Sequence, residues 1–108
     1  LTRKKLIDNI IIIIIIIKKN MLYKIYIGSN NETKKLEAKK AISIASKYFE
    51  GFTCQNASGF WKGIAEKTLI IEIETDNKKK VIELAEELKE ALYQEAIAVA
   101  KIGKMQFV

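Results

Sequence analysis

Histidine and proline are both absent from this chain of 108 residues, cysteine occurs once, at Cys54, and arginine once, at Arg3. Without histidine the ordinary imidazole acid/base and the usual zinc constellations are lost, and a single cysteine excludes an internal disulfide framework. Any catalysis must rest on carboxylates, lysine, tyrosine, hydroxyls or backbone groups. There is no GxGxxG, Walker loop or CxxC, so no cofactor is expected. Also missing are the ~20 consecutive apolar residues of a membrane span and the apolar region ending in small residues of a secretory signal. The expectations are no membrane partner and a cytoplasmic location.

What is present allows one domain with one modest core. The net charge of +6 points to a polyanion partner until it is located along the chain. Residues 1–20 hold Arg3, Lys4, Lys5, Lys18 and Lys19 against Asp8 alone, and the remainder carries 14 basic and 12 acidic residues. The same tail contains eight consecutive isoleucines, Ile10 to Ile17, which is low complexity rather than patterning. Residues 1–20 are therefore read as an Ile/Lys extension outside the natural domain, which starts at Met21 and runs over 21–108. Abundant Ile, Lys and Asn fit an AT-rich coding sequence, where such a run arises by codon repetition. The rival reading is a membrane-surface or assembly segment whose flanking lysines act as gatekeepers against aggregation.

From Met21 the punctuation is regular. "LYKIYIG" (22–28) alternates Tyr23, Ile25 and Ile27 with Leu22, Lys24 and Tyr26, the period of a strand. "SNNETKKLEAKKAISIASKYFEG" places Ser29 and Glu32 at capping-box spacing, repeats apolar residues at 38, 41, 42, 45, 48 and 49, and meets a stop at Gly51. "FTCQNASGFW" and "EKTLIIEIET" are extended runs joined at Lys62 and Gly63, a hairpin. Asp76 is placed to cap a second helix whose apolar face is Val81, Ile82, Ala85, Leu88 and Leu92. "EAIAVAKI" (95–102) reads as the last strand. The order β-α-β-β-α-β is the ferredoxin-like α+β arrangement, a four-stranded antiparallel sheet with both helices on one face. The helices cover only one face, yet Ile70 points to the other, so a homo-oligomer is expected, trimer or dimer ahead of monomer.

The fold hosts many activities, so the residues must choose. An RNA-recognition module needs stacking aromatics on its central strands; "TLIIEIET" has none and carries Glu72 and Glu74, so no nucleic-acid partner is expected. A metallochaperone needs paired Cys or Met near the first loop, and none is there. Lys78, Lys79 and Lys80 open a helix either as an anion site or as a solvated lysine run. "IGSNN" is either a substrate loop or a turn with an N-cap. Cys54 reads as a half-buried strand residue. Trp61 is a hairpin anchor or a ligand platform, and Glu66 is an exposed strand glutamate or a site residue.

With "YIGSNN", "YFEGFT", "ASGFW", "EKTLIIEI" and "ALYQEAIAV" in order along the chain, residues 23–108 resemble a group of small phage and mobile-element proteins that includes the phage S-adenosylmethionine lyases. The resemblance implies a ferredoxin-like trimer with its active site between subunits, and a role in phage anti-restriction. It also implies a substrate, S-adenosylmethionine, cleaved to methylthioadenosine and homoserine lactone. A family glutamate from the strand after the hairpin falls on Glu66. A family tyrosine from the strand before it falls on Trp61, a departure, and the hairpin here is the shorter one. Gly28, Ser29, Asn30, Gln94 and Glu95 are further substrate-binding candidates at strand ends. Two other classes stay open: a non-catalytic sensor of a nucleotide or S-adenosylmethionine, and a phage inhibitor that docks on a host protein.

Overall fold

Alternation in the first strand decides where the core lies. In the computed structural model, which describes residues 2–19 and 21–104, β1 (Met21–Ile27) buries Tyr23, Ile25 and Ile27 and leaves Leu22, Lys24 and Tyr26 partly open on its other side. A period of two sends alternate side chains to opposite faces. β1 is central: β2 (Thr53–Trp61), β3 (Ile64–Glu74) and β4 (Ala98–Lys104) join it in the order β2-β3-β1-β4, with every neighbouring pair antiparallel. Helices α2 (Ala38–Tyr48) and α3 (Lys78–Ala91) make the two crossovers. The result is the ferredoxin-like α+β fold.

Leu69, Ile71 and Ile73 of β3 join the β1 residues beneath Ala41, Ile44 and Ala45 of α2 and Val81, Leu84 and Leu88 of α3. Burial of large aliphatic side chains at about 1.5–3 kcal/mol each is the main force holding the layers together. Ile42 and Ile82, counted on the helix faces from spacing, instead stay more than a third exposed, while Ile44 and Leu84 are buried. On the helix-free face Ile70 is only 8% exposed, between Tyr26 and Gln55 by register, and Lys24 pairs with Glu72 at 3.5 Å. That face is mixed in character, not uniformly apolar.

Four element boundaries differ from the expected ones, at both ends of α2, at the start of α3 and at the start of β4. Ser29 and Glu32 do not cap α2. Its N-cap is Glu37, with no side-chain cap. The reason is Asn30, which is buried at 2% exposure, accepts the Glu32 and Thr33 N–H groups on Oδ1 (2.7 and 3.1 Å) and donates Nδ2 to Glu37. That local turn competes with the helix, and Lys34 at φ 62° breaks the helical path. At its far end α2 stops at Tyr48 rather than running to Gly51, because Phe49 adopts an extended backbone and both aromatic residues turn toward the core.

For α3 the cap is Asn77, whose side chain accepts the Lys80 N–H at 3.0 Å, and not Asp76. Thr75 pairs its N–H with Met21 O at 3.0 Å, so the extended chain runs to Thr75 as the sequence reading has it. α3 closes with Tyr93 in the left-handed region (φ 51°), donating to Glu90 O, and Gln94 donating to Lys89 O at 2.9 Å. This is the Schellman pattern with tyrosine where glycine is usual. It delays β4 to Ala98 from the expected 95. The hairpin is as read: Lys62 (φ 50°) and Gly63 (φ 77°) form the two-residue turn that suits the strand twist.

α1 (Arg3–Lys19) contains the isoleucine run, and its Leu6, Ile7, Ile10, Ile11 and Ile12 remain about half exposed. Among the described residues every buried one lies between Tyr23 and Leu92. No described helix is long and apolar enough to cross a membrane.

Candidate functional site

The site grows from the end of the central strand. Beyond Ile27 the chain leaves the sheet at Gly28 and Ser29, next to β3, where Glu66 stands opposite Gly59. By parity with Thr68 and Ile70, Glu66 belongs to the helix-free face. Its Oε1 accepts the Ser29 N–H at 3.2 Å. From the other direction, Gln94 Nε2 donates to Ser29 O at 2.5 Å, with Gly28 O at 3.3 Å and Leu92 O at 3.4 Å. The Ser29 residue is thus held at both ends, by an acid from β3 and by an amide from the turn after α3.

Gly28 is needed for this arrangement. A Cβ there would lie 2.9 Å from Glu66 Oε1 and 3.5 Å from the Gln94 side-chain oxygen. Any side chain at 28 displaces the carboxylate, whereas glycine admits it.

Around this junction lie two open clefts, each of about 840 Å³, with Ser29, Asn31 and Glu66 forming part of the wall of both. The first is bounded by Tyr26, Phe60, Thr68, Gln94 and Glu95. Among the described residues its charged groups are the carboxylates of Glu66 and Glu95, in a chain of net charge +6. The second lies between the loop after β1 and the start of β3 and carries Lys34, Lys35 and Lys67. Charge is segregated on the two sides of Glu66.

Of the residues singled out from the sequence, Gly28, Ser29, Glu66, Gln94 and Glu95 converge on the first cleft. Asn30 does not: its amide is committed to organising the loop, so it shapes the site from within and lines only the second cleft. Trp61 ends β2 with its backbone opposite Ile64, and its side chain lies outside the described residues. Tyr26, Phe60 and Thr68 were not anticipated. The alternation that sends Tyr26 away from the core was the available signal; which neighbours it would meet depended on strand register.

Other candidates have structural partners. Lys80 sits over the Phe49 ring, 5.0 Å from its centroid, and Lys79 lies 3.9 Å from Glu83. Cys54 is half-buried on β2, and burial pushes its thiol pKa up, away from reactivity. Among the described residues no cluster of three carboxylates or thiols is placed to hold a metal.

No protein-family model matches the chain, and no curated protein sequence matches it significantly. Among solved structures, a phage SAM lyase in its apo state is similar, with 21% identity and a TM-score of 0.52, over 83% of this chain and 86% of that one. A de novo designed protein, Foldit4, matches at 16% identity and a TM-score of 0.50, over 79% of this chain and 98% of its own. CutA1 from Oryza sativa has 15% identity and a TM-score of 0.49, covering 84% and 86%. A designed chain scores almost as high as the phage enzyme, so what those two share with this protein is the fold.

Proposed function

We propose that the chain is an S-adenosylmethionine lyase-like enzyme working at the first cleft. The observation that carries this reading is the cleft's charge: two carboxylates, Glu66 and Glu95, beside Tyr26 and Phe60, with no lysine or arginine among the described residues of its wall in a basic protein. Such a lining suits a cationic ligand with an aromatic part. S-adenosylmethionine, with its sulfonium, ammonium and adenine, belongs to that class.

The reaction asks little of side chains. The substrate carboxylate attacks its own γ-carbon, the new C–O bond closes homoserine lactone, the C–S bond breaks, and its electron pair leaves with sulfur as neutral methylthioadenosine. No proton moves, so a chain without histidine lacks nothing the step requires. Carboxylate and sulfonium charges vanish together in the transition state, so excluding water and folding the substrate into attack geometry accelerate the step. A carboxylate against the sulfonium would favour the ground state and oppose the reaction. Glu66 is therefore assigned to the ribose hydroxyls or the ammonium, its Oε1 anchored by Ser29. Trp61 and Tyr26 are assigned to the adenine or the cation face.

Water exclusion also bears on assembly. Glu66, Glu95 and Phe60 are all exposed in the single chain. A second copy laid on the helix-free face would close the cleft, and a homo-oligomer, a trimer first, is part of the proposal. Incubation of the protein with S-adenosylmethionine followed by chromatography tests it: methylthioadenosine is expected. Saturable binding with no methylthioadenosine favours the sensor reading in place of the enzyme.

A further inference from the structure

We infer that the second cleft is a binding site for a small phosphate-bearing molecule of the nucleotide class, separate from the acidic cleft across Glu66. Three observations combine. Lys34, Lys35 and Lys67 converge on one cavity of about 840 Å³, within the range of small-ligand pockets. None of the three ammonium groups has an ion-pair or hydrogen-bond partner among the described residues, whereas Lys24, Lys47, Lys79 and Lys80 are engaged with Glu72, Glu87, Glu83 and Phe49. Among the described residues lining the cavity, one carboxylate stands against them, Glu66, whose Oε1 is already bonded to the Ser29 N–H.

Leu36, Ile64 and Ala65 line the same cavity. Ile64 is 72% exposed and so is open to contact with a ligand. An apolar wall beside three ammonium groups fits a molecule with a flat organic part and a multiply charged anionic part. A bare inorganic anion would leave the apolar wall unused.

The scaffold is fixed in advance. Asn30 is buried and pins the loop through Glu32, Thr33 and Glu37, and the Lys34 N–H donates to Asn30 O at 2.7 Å while Lys35 O accepts from Asn30 N at 2.8 Å. The lysine backbones therefore need no reordering when a ligand arrives, which removes part of the entropic cost of binding. Because Ser29, Asn31 and Glu66 border both clefts, an anion held here sits next to the group that faces the acidic cleft.

Calorimetric titration of the full chain with ATP, with adenosine as the uncharged control and no S-adenosylmethionine present, tests the site whether or not the chain is a lyase. ATP is expected to bind more tightly than adenosine and to weaken as salt rises. Replacing Lys34, Lys35 and Lys67 together by glutamine should weaken ATP binding about tenfold or more, the loss of charge-assisted hydrogen bonds. Replacing Lys39, Lys78 and Lys101 by glutamine removes the same charge elsewhere and should change it less than about twofold, with both variants melting as the wild type does. The inference is overturned by no ATP binding, or by equal losses in the two triple variants. It is also overturned if ATP binding survives the first triple variant and is competed by S-adenosylmethionine, which places the nucleotide in the acidic cleft. A single-stranded oligonucleotide that displaces ATP and binds more tightly assigns the groove to nucleic acid instead.

Discussion

The Ser29 N–H donates to Glu66 Oε1 across 3.2 Å although 37 positions separate the two residues. This contact joins the loop leaving the central strand to the strand beyond the hairpin, and it stands at the wall between an acidic cleft and a basic one. It explains why a glutamate follows the aromatic turn. Glu66 is the strand residue that reaches back to the end of β1.

Glu66→Gln retains an oxygen that accepts the Ser29 N–H and removes the charge offered to the first cleft. Its expected effect is on turnover of S-adenosylmethionine, a loss of about 10- to 150-fold, equivalent to roughly 1.5–3 kcal/mol for one charge-assisted bond. The melting temperature should hardly move, because Glu66 is exposed and outside the core. Equal turnover by the variant and the wild type removes Glu66 from the site.

Gly28→Ala places a Cβ 2.9 Å from Glu66 Oε1. The end of a flexible side chain yields easily, so folding should cost less than about 1 kcal/mol, with a small compensating gain from a stiffer unfolded chain. The carboxylate must leave the Ser29 N–H. In ¹H–¹⁵N spectra the Ser29 amide should shift upfield in the variant. An unchanged Ser29 resonance contradicts the close approach.

Tyr48 OH donates to Glu87 Oε1 at 2.8 Å, and Lys47 Nζ bonds Oε2 of the same carboxylate, so α2 and α3 are clipped together. The Lys47 bond, then the Tyr48 bond, hold the Glu87 pKa below its ordinary 4.5, while the hydrogen bond to Glu87, aided by burial and nearby carboxylates, raises Tyr48 above 10.0. A depressed acid stabilises the fold above its unfolded pKa and loses that contribution as pH falls through the folded one. A raised phenol loses its contribution as pH rises through its folded pKa. Urea unfolding of Glu87→Gln should therefore match the wild type most closely below about pH 4 and show its largest deficit at neutral pH, in the range where the clip is charged. A deficit that grows on acidification contradicts the assignment.

Ile70 is 8% exposed on the helix-free face, and Ala98, opposite Tyr26 on β4, is exposed on that face. Ala98→Arg leaves the single chain's core untouched but sets a charge where a second copy would lie. Multi-angle light scattering should show an oligomeric wild type and a smaller species for Ala98→Arg. Ile70→Lys should go further and also lower stability, by several kcal/mol if the charge is left buried and unpaired. A monodisperse wild-type monomer removes the shared cleft.

The fold was legible in the sequence because its strongest signals are local. The alternation Tyr23, Ile25, Ile27, the turn at Lys62 and Gly63, and the helical spacing of Val81, Ala85 and Leu88 each need only a short window, and the structure buries or turns them accordingly. The caps were read wrongly for the opposite reason. Ser29 with Glu32, and Asp76, have the right local spacing, but the turn built on buried Asn30 and the Asn77 side chain accepting the Lys80 N–H set the helix starts at Glu37 and Asn77. Competing local hydrogen bonds, made to Asn30 and Asn77, outweighed a capping preference of about 1 kcal/mol.

Gly28, Ser29, Glu66, Gln94 and Glu95 were named from the sequence, yet neither their convergence nor the presence of Tyr26 among them follows from any pattern along the chain. Nor does the separation of Lys34, Lys35 and Lys67 from the two carboxylates. Composition limits the side chains available for chemistry in this chain, which has no histidine and a single cysteine. Strand register decided where its charges meet, because antiparallel pairing joins residues remote in sequence and a shift of one position would have sent Glu66 to the other face of the sheet.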